Sequence, residues 1–236
     1  MDTRSAYGRV AALIPAAGEG RRMGGATPKQ FLQLGGRAVL ARTLEVFEAC
    51  RAIDEIWVVV AAEHCTWCQE TIVERAGLRK VRGVVAGGAT RQESVWRGLQ
   101  HVAEAVELVV VHDGVRPLVT ELLVQRTLAS ASQHGAAIAA VPLQDTLKRV
   151  SEAHEVEGTV PRERLWRSQT PQAFHHALLR TAFQHAWQQG LQATDEAGLI
   201  EALGHAVKIV PGDEHNVKIT TPDDVVFCET FLRYHV

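Results

Sequence analysis

Apolar and polar positions along the chain follow two alternating rhythms. Short runs that are apolar almost throughout, at 10–14, 56–61, 81–85, 108–112, 136–141 and 207–210, read as strands buried on both faces. Between them, segments 38–50, 90–105, 121–133, 174–189 and 195–203 carry apolar residues at helical spacing, as helices with one buried stripe do. Buried strands separated by helices predict a mostly parallel sheet covered on both sides, a three-layer α/β fold. No repeat, low-complexity tract or long linker interrupts this rhythm, so one domain over 1–236 is the expectation.

One stretch departs from it. Segments 145–150 and 158–166 flank a polar turn at 151–157, which reads as a β-hairpin set between helices, an arm spanning 144–168. A two-stranded ribbon is marginal alone. It either reaches across to a second subunit, giving a homodimer, or folds back on its own domain.

Bulk properties narrow the function. Lys plus Arg number 25 and Asp plus Glu 27, for a formal charge of −2, which argues against nucleic-acid or anionic-membrane partners. The apolar run at 10–17 is too short and badly flanked for a signal peptide, and none approaches membrane-spanning length. A cytoplasmic location is expected. Cys65-x-x-Cys68 has no second pair to complete a zinc site, and the 11 histidines lack ligand spacing. Small residues at a helix start explain that pair equally well.

Candidate chemistry gathers where predicted strands end, since parallel α/β sheets bind ligands beyond the carboxyl ends of their strands. The first strand runs into Pro15-Ala16-Ala17-Gly18-Glu19-Gly20-Arg21-Arg22-Met23-Gly24, with Pro28-Lys29-Gln30 soon after. Glycines let a backbone approach a ligand closely, and fixed cations beside such a turn suit a polyphosphate. The loop is not a P-loop, because no Gly-Lys-Ser/Thr closes it. Nor is it a dinucleotide fingerprint, whose acidic residue belongs about 20 positions on; the nearest candidate, Glu63, lies much further along.

After 81–85 comes Gly87-Gly88-Ala89-Thr90-Arg91-Gln92-Glu93-Ser94. Thr90 and Glu93 have capping-box spacing, which leaves Gly88, Arg91 and Ser94 for a ligand. After 108–112 comes His112-Asp113-Gly114-Val115-Arg116-Pro117. An aspartate ending a buried strand needs a cation or hydrogen bonds. Asp113 would meet ribose hydroxyls or Mg²⁺ in a triphosphate enzyme, or pair with Arg116 to order the loop. Thr194-Asp195-Glu196 reads as a helix cap, and Lys218 in Asn216-Val217-Lys218-Ile219-Thr220 falls near the same strand ends. Thr221 and Pro222 open a further helix there.

Taken in order from about Val10 to Phe227, these motifs, with Asp145-Thr146-x-Lys148 and Thr170-Pro171-Gln172, resemble the 2-C-methyl-D-erythritol 4-phosphate cytidylyltransferase family. The resemblance implies a Rossmann-like nucleotidyltransferase fold with a protruding hairpin arm. It also implies an enzyme of the non-mevalonate isoprenoid route that joins CTP to methylerythritol 4-phosphate with Mg²⁺ and releases pyrophosphate. Arg22, Lys29 and Lys218 match residues that offset charge at the α-phosphate. Pro15, Ala16, Ala17, Gly18, Gly20, Gly88, Arg91 and Ser94 match the nucleotide side, with Asp113 and Gly114 near the ribose. Mg²⁺ would be held through the CTP phosphates, with Asp113 a candidate ligand. Arg116, Thr146, Arg162, Thr170 and Thr194 match positions that hold the acceptor across a homodimer interface of interlocking arms. Ala89 stands where some members carry aspartate, and Gly114-Val115 replaces a frequent Ala-Ala pair. With Val236 at its end, the sequence is expected to lack the cyclase domain of fused relatives. Ribitol-5-phosphate cytidylyltransferase and a non-catalytic nucleotide-binding module stand as alternatives.

Overall fold

The computed structural model describes residues 7–18 and 27–235. Strand β1 (Val10–Pro15) is followed by a small antiparallel ribbon of β2 (Gln33–Leu34) and β3 (Arg37–Ala38), then helix α1 (Val39–Ala49) and β4 (Glu55–Val60). A short helix α2 (Cys65–Cys68) continues as a π-helical turn, Gln69–Glu74, into β5 (Val81–Ala86) and α3 (Arg91–Leu99). Next come β6 (Leu108–Val111), α4 (Glu121–His134) and β7 (Ala136–Pro142). The chain then forms β8 (Leu147–Val150), β9 (Val156–Val160) and β10 (Trp166–His175). It ends through α5 (His176–Gln189), α6 (Glu196–Ala202), β11 (Lys208–Pro211) and α7 (Pro222–His235).

The main sheet has seven strands in the order β11-β7-β10-β6-β1-β4-β5. All neighbouring pairs are parallel except those of β10, which runs antiparallel to both β6 and β7. The three-layer, mostly parallel α/β architecture expected from the sequence is therefore present, with one reversed strand at its middle. Strand pleating divides the core. Val10, Ala12 and Ile14 of β1 face the layer of α1, α2 and α4, where Leu44, Phe47 and Leu128 are buried. Ala11 and Leu13 face the layer of α3, α5 and α6, where Leu99, Phe183 and Ile200 are buried.

β10 corrects the sequence reading, which placed a helix from 174 and a hairpin strand ending at 166. The segment Trp-Arg-Ser-Gln-Thr-Pro-Gln-Ala-Phe-His is polar in its first half and carries a proline, so it lacks the pattern of a buried strand. It is tolerated because the ladder to β7 breaks between Ser168 and Gln172, and Pro171, with no N–H to donate, falls inside that break. Helix α5 consequently starts at His176. The arm exists as its own two-stranded sheet, pairing Leu147 with Val160 and Lys148 with Thr159. Its turn is tighter than expected: the Ser151 N–H donates to the Glu155 carbonyl, and the returning strand is Val156–Val160. Leu147, Val150 and Val156 on it are exposed.

Helix α7 docks its buried Cys228 with Ile219, Val115, Leu34 and Val39 in a third small core, bringing the segment around Lys218 to the strand ends.

Phe183 is fully buried and packs its ring 5.5 Å from Trp96, so it fastens α5 to α3. Phe183→Ala is expected to destabilise the protein by about 3–5 kcal/mol, read as a lower midpoint in denaturant-induced unfolding.

Candidate active site

Two cavities share a wall at the carboxyl ends of β1, β5 and β6. The first, about 640 Å³ including its open mouth, is lined by Pro15, Ala16, Ala17 and Gly18 after β1, and by Gly88, Arg91 and Ser94 between β5 and α3. Lys29, Asp113 and Lys218 also line it. The second is lined by Arg116, Thr170 and Thr194 with Ser168, Gln169 and Asp195, and it shares Arg91, Asp113 and Lys218 with the first. The structure thus unites most residues singled out from the sequence. Arg22 and Gly20 lie outside the described residues.

The glycines of the first cavity are required by space. A Cβ on Gly87 would stand 2.6 Å from the Ala17 Cβ, and one on Gly88 would stand 2.4 Å from the Glu93 Cβ. Gly114 sits beneath the cleft, where a Cβ would meet Ala16 and Leu40 at 3.0 and 2.9 Å. The cap forms as read, with the Glu93 N–H donating to Thr90 Oγ1 at 3.1 Å, but the Glu93 carboxylate reaches past Thr90 and accepts the Ala89 N–H on Oε2 at 2.6 Å. Ser94 is already engaged, accepting from the Gly88 N–H at 3.1 Å and donating to the Thr90 carbonyl at 2.9 Å. Its hydroxyl shapes the glycine loop.

Asp113 is the electrostatic centre. Its Oδ1 takes Arg91 Nε at 3.3 Å, and its Oδ2 takes Arg116 Nε at 3.3 Å and Lys218 Nζ at 3.0 Å. Burial alone would push this carboxyl up; the surrounding cations more than reverse it and hold it well below the usual carboxylate range. Arg91 reaches onward through Nη1 to Glu196 Oε1 at 2.7 Å. Lys29 Nζ donates to the Ile219 carbonyl at 2.9 Å, which ties the first loop to the Lys218 segment. The Asp113–Arg116 pairing raised from sequence is real, yet it is one spoke of a larger hub.

Several residues quoted only as members of motifs prove to be supports of the site. His112 is fully buried, and its Nε2 faces the Arg116 carbonyl at 3.2 Å. A carbonyl only accepts, so Nε2 carries the proton and Nδ1 is bare. The Thr170 hydroxyl therefore donates to Nδ1 at 3.0 Å, while its oxygen accepts the Asp113 N–H at 3.1 Å. This relay fixes Asp113 against the bulge of β10. Burial pushes the His112 ring down to about 3, matching the neutral form. Asn216, also buried, donates to the Thr170 carbonyl at 2.7 Å and accepts Arg116 Nη1 on its own carbonyl at 2.7 Å. Gln172 joins Asp195 to the Ala197 N–H. The signal for all of these was polar residues inside otherwise buried segments, but their partners are far away in sequence.

Thr146 and Arg162 line neither cavity. Both are exposed around the arm, where Arg162 donates to the Gln144 carbonyl. Cys65 donates weakly to the Ala61 carbonyl, and burial pushes the Cys68 thiol up to about 12, so neither is a reactive thiolate. Among the described residues no group of three or more His, Cys, Asp or Glu is placed to hold a metal ion.

Residues 10–234 match the family model described as 2-C-methyl-D-erythritol 4-phosphate cytidylyltransferase. A protein of that name from Geobacter metallireducens is 48% identical over 95% of this chain and 97% of its own length. One from Syntrophus aciditrophicus is 45% identical over 95% of this chain and 96% of its own. The crystal structure of a cytidylyltransferase of the same name from Thermus thermophilus is 39% identical, with a TM-score of 0.78 over 95% of this chain and 99% of that one. That of 4-diphosphocytidyl-2C-methyl-D-erythritol synthase from Anaerococcus prevotii is 32% identical, with a TM-score of 0.81 over 96% and 99%.

The buried neutral imidazole of His112 has a pH consequence. Its folded-state value, about 3, lies below the ordinary 6.5, so the unfolded chain takes up a proton that the folded one refuses. The contribution is complete above pH 6.5 and drains as pH falls towards 3, by up to about 1.4 kcal/mol per pH unit. His176, lowered chiefly by burial, acts with the same sign. Urea unfolding at about pH 7.5 and about pH 5.5 is expected to show that loss in the wild type and a smaller one in His112→Gln.

Proposed function

The chain belongs to the 2-C-methyl-D-erythritol 4-phosphate cytidylyltransferase family, and we propose that its two joined cavities are the donor and acceptor halves of that reaction. CMP passes from CTP to 2-C-methyl-D-erythritol 4-phosphate, giving 4-diphosphocytidyl-2-C-methyl-D-erythritol and pyrophosphate. The observation that carries this reading is the cluster of Arg91, Arg116 and Lys218 on Asp113 at the wall the cavities share, with Lys29 tethered beside it. A phosphate oxygen of the acceptor forms a bond to the α-phosphorus of CTP as the bond to the bridging oxygen breaks, and pyrophosphate leaves with that electron pair. The nucleophile is already an anion, so no side chain must be activated. The protein has to align two polyanions and offset the charge that builds between them.

Lys29 and Lys218, with Arg22 from the first loop, are assigned to charge at the α-phosphate and the departing pyrophosphate. Pro15 through Gly18, Gly88 and the loop that Ser94 shapes take the nucleoside. Arg116, Thr170 and Thr194 take the acceptor. Mg²⁺ fits as a guest of the triphosphate: among the described residues Asp113 is the one carboxylate that lines both cavities and no cluster of acidic, His or Cys side chains forms a cage, and Mg²⁺ favours few carboxylates plus phosphate oxygens. Bound there through the CTP phosphates with Asp113, it would neutralise triphosphate charge. Thr146 and Arg162 are assigned to the acceptor site of a second subunit, reached by the arm, whose uncovered Leu147, Val150 and Val156 support a homodimer. A cytoplasmic setting is supported by four free cysteines. No described helix is long and apolar enough to cross a membrane.

Pyrophosphate release with CTP and Mg²⁺ is expected with methylerythritol 4-phosphate and absent with ribitol 5-phosphate or no acceptor. It should stop on chelation of the metal. Lys29→Ala should keep the fold and lose about 100- to 1000-fold in rate; wild-type turnover in that variant removes Lys29 from the mechanism. Sedimentation across a dilution series is expected to show dimers at micromolar protein, and monomers there would reject the arm assignment.

A further inference from the structure

Glu196 has the wrong surroundings for a residue kept for stability. Its side chain is 1% exposed, Oε1 meets Arg91 Nη1 at 2.7 Å, and Oε2 has no hydrogen-bond partner among the described residues. A carboxylate desolvated for one contact gains little net stability from it. Asp113 shares its charge among Arg91, Arg116 and Lys218, but among the described residues the ion pair of Glu196 is with Arg91 alone.

The direction of constraint follows from what holds each partner. Glu196 opens α6, where Asp195 caps the helix by accepting the Gly198 N–H at 3.1 Å. Asp195 is pinned to β10 by Ser168 at 3.0 Å and Gln172 at 2.8 Å. The carboxylate of Glu196 thus rests on a fixed frame that does not involve Arg91. Arg91 is a long side chain at the start of α3 and lines both cavities. With Asp113 as its only anion it would fold down onto that carboxylate, because nothing else would oppose the pull. Glu196 pulls from the other side.

We propose that Glu196 is a positioning residue: it holds the Arg91 guanidinium upright in the wall between the cavities, so that one planar cation faces the donor triphosphate and the acceptor phosphate together. This rests on the reading of those cavities as donor and acceptor sites. Two phosphates brought to bonding distance repel each other, and a planar fork with several N–H donors can serve both where an ammonium serves one. Its orientation is therefore what the reaction uses.

The test compares wild type, Glu196→Gln, Arg91→Gln and the double variant. It uses thermal unfolding, calorimetric binding of CTP with Mg²⁺, and kinetics with acceptor varied. Glu196→Gln is expected to melt with the wild type and to lose on the order of 10- to 100-fold in acceptor kcat/KM, as small misplacements do. In the Arg91→Gln background the same change should cost nothing further. Wild-type kinetics in Glu196→Gln, or an equal loss in both backgrounds, overturns the proposal. If Glu196→Gln melts early, Arg91→Lys decides: it keeps the charge but loses the fork, and full activity there overturns the proposal as well. Absence of turnover in the wild type would instead reject the donor–acceptor reading. The CTP affinities of the four proteins would then still show whether Glu196 acts through Arg91.

Discussion

The cations at the wall shared by the two cavities are arranged around one carboxylate. Asp113 sits just beyond β6, buried, with Arg91, Arg116 and Lys218 converging on it from α3, from its own loop and from the segment before α7. Three like charges on separate elements would otherwise push those elements apart. At an effective dielectric near 20, two unit charges 4 Å apart interact by about 4 kcal/mol. The carboxylate turns that mutual repulsion into a common attachment point. The neutral His112 then serves as its mechanical anchor, since a charged ring there would add a fourth cation to the cluster.

The reversed strand β10 explains why there are two cavities rather than one. In an all-parallel sheet, the strand beside β6 would point its carboxyl end in the same direction and close that side with another loop. β10 instead passes through with a break in its ladder between Ser168 and Gln172. The break sets Thr170 and Gln169 along the second cavity and offers Asn216 the Thr170 carbonyl and the Gln169 side-chain oxygen. The polar, proline-bearing half of the strand is therefore the wall of the second cavity. Its apolar half, Ala173 and Phe174, is core.

That division also explains what could be read in advance. Six strands were legible because their runs are apolar with few polar residues interrupting them; β1, β4, β6 and β7 are also buried on both faces, whereas β5 is partly buried and β11 mostly exposed. β10 was not, because half of it lines the second cavity and follows no packing period. Around α2, the short helix and π-helical turn give neither rhythm for long enough to be seen. In the site, the glycine loops and the strand-end Asp113 were visible from local sequence, since close approach and strand termination are local constraints. Gly114 was visible as a motif residue but serves packing under Ala16. Glu196 was read as part of a cap, which describes its neighbour Asp195 well; its bond to Arg91 spans 105 residues and leaves no local trace. Asn216 and His112 were hidden for the same reason.

A site for two polyanions must also survive without them. Among the described residues, Lys29, Arg91, Arg116 and Lys218 bring positive charge to the two cavities, and Asp113 and Asp195, with Glu196 behind Arg91, bring negative charge. The pairing of cations with carboxylates keeps the empty state from flying apart. Arriving phosphates then exchange partners with cations already held in place. Little reorganisation is left for the moment of reaction, which is the condition under which fixed charges accelerate chemistry most. The pairs are unequal in this exchange. Lys218 is partly exposed and held by one ion pair, so it can turn to a phosphate at small cost. Arg116 is bound to both Asp113 and the Asn216 carbonyl and can turn only slightly. On the proposed donor–acceptor reading, graded tethering of this kind would let one cluster follow the migrating charge with Lys218 while Arg116 keeps the acceptor in register.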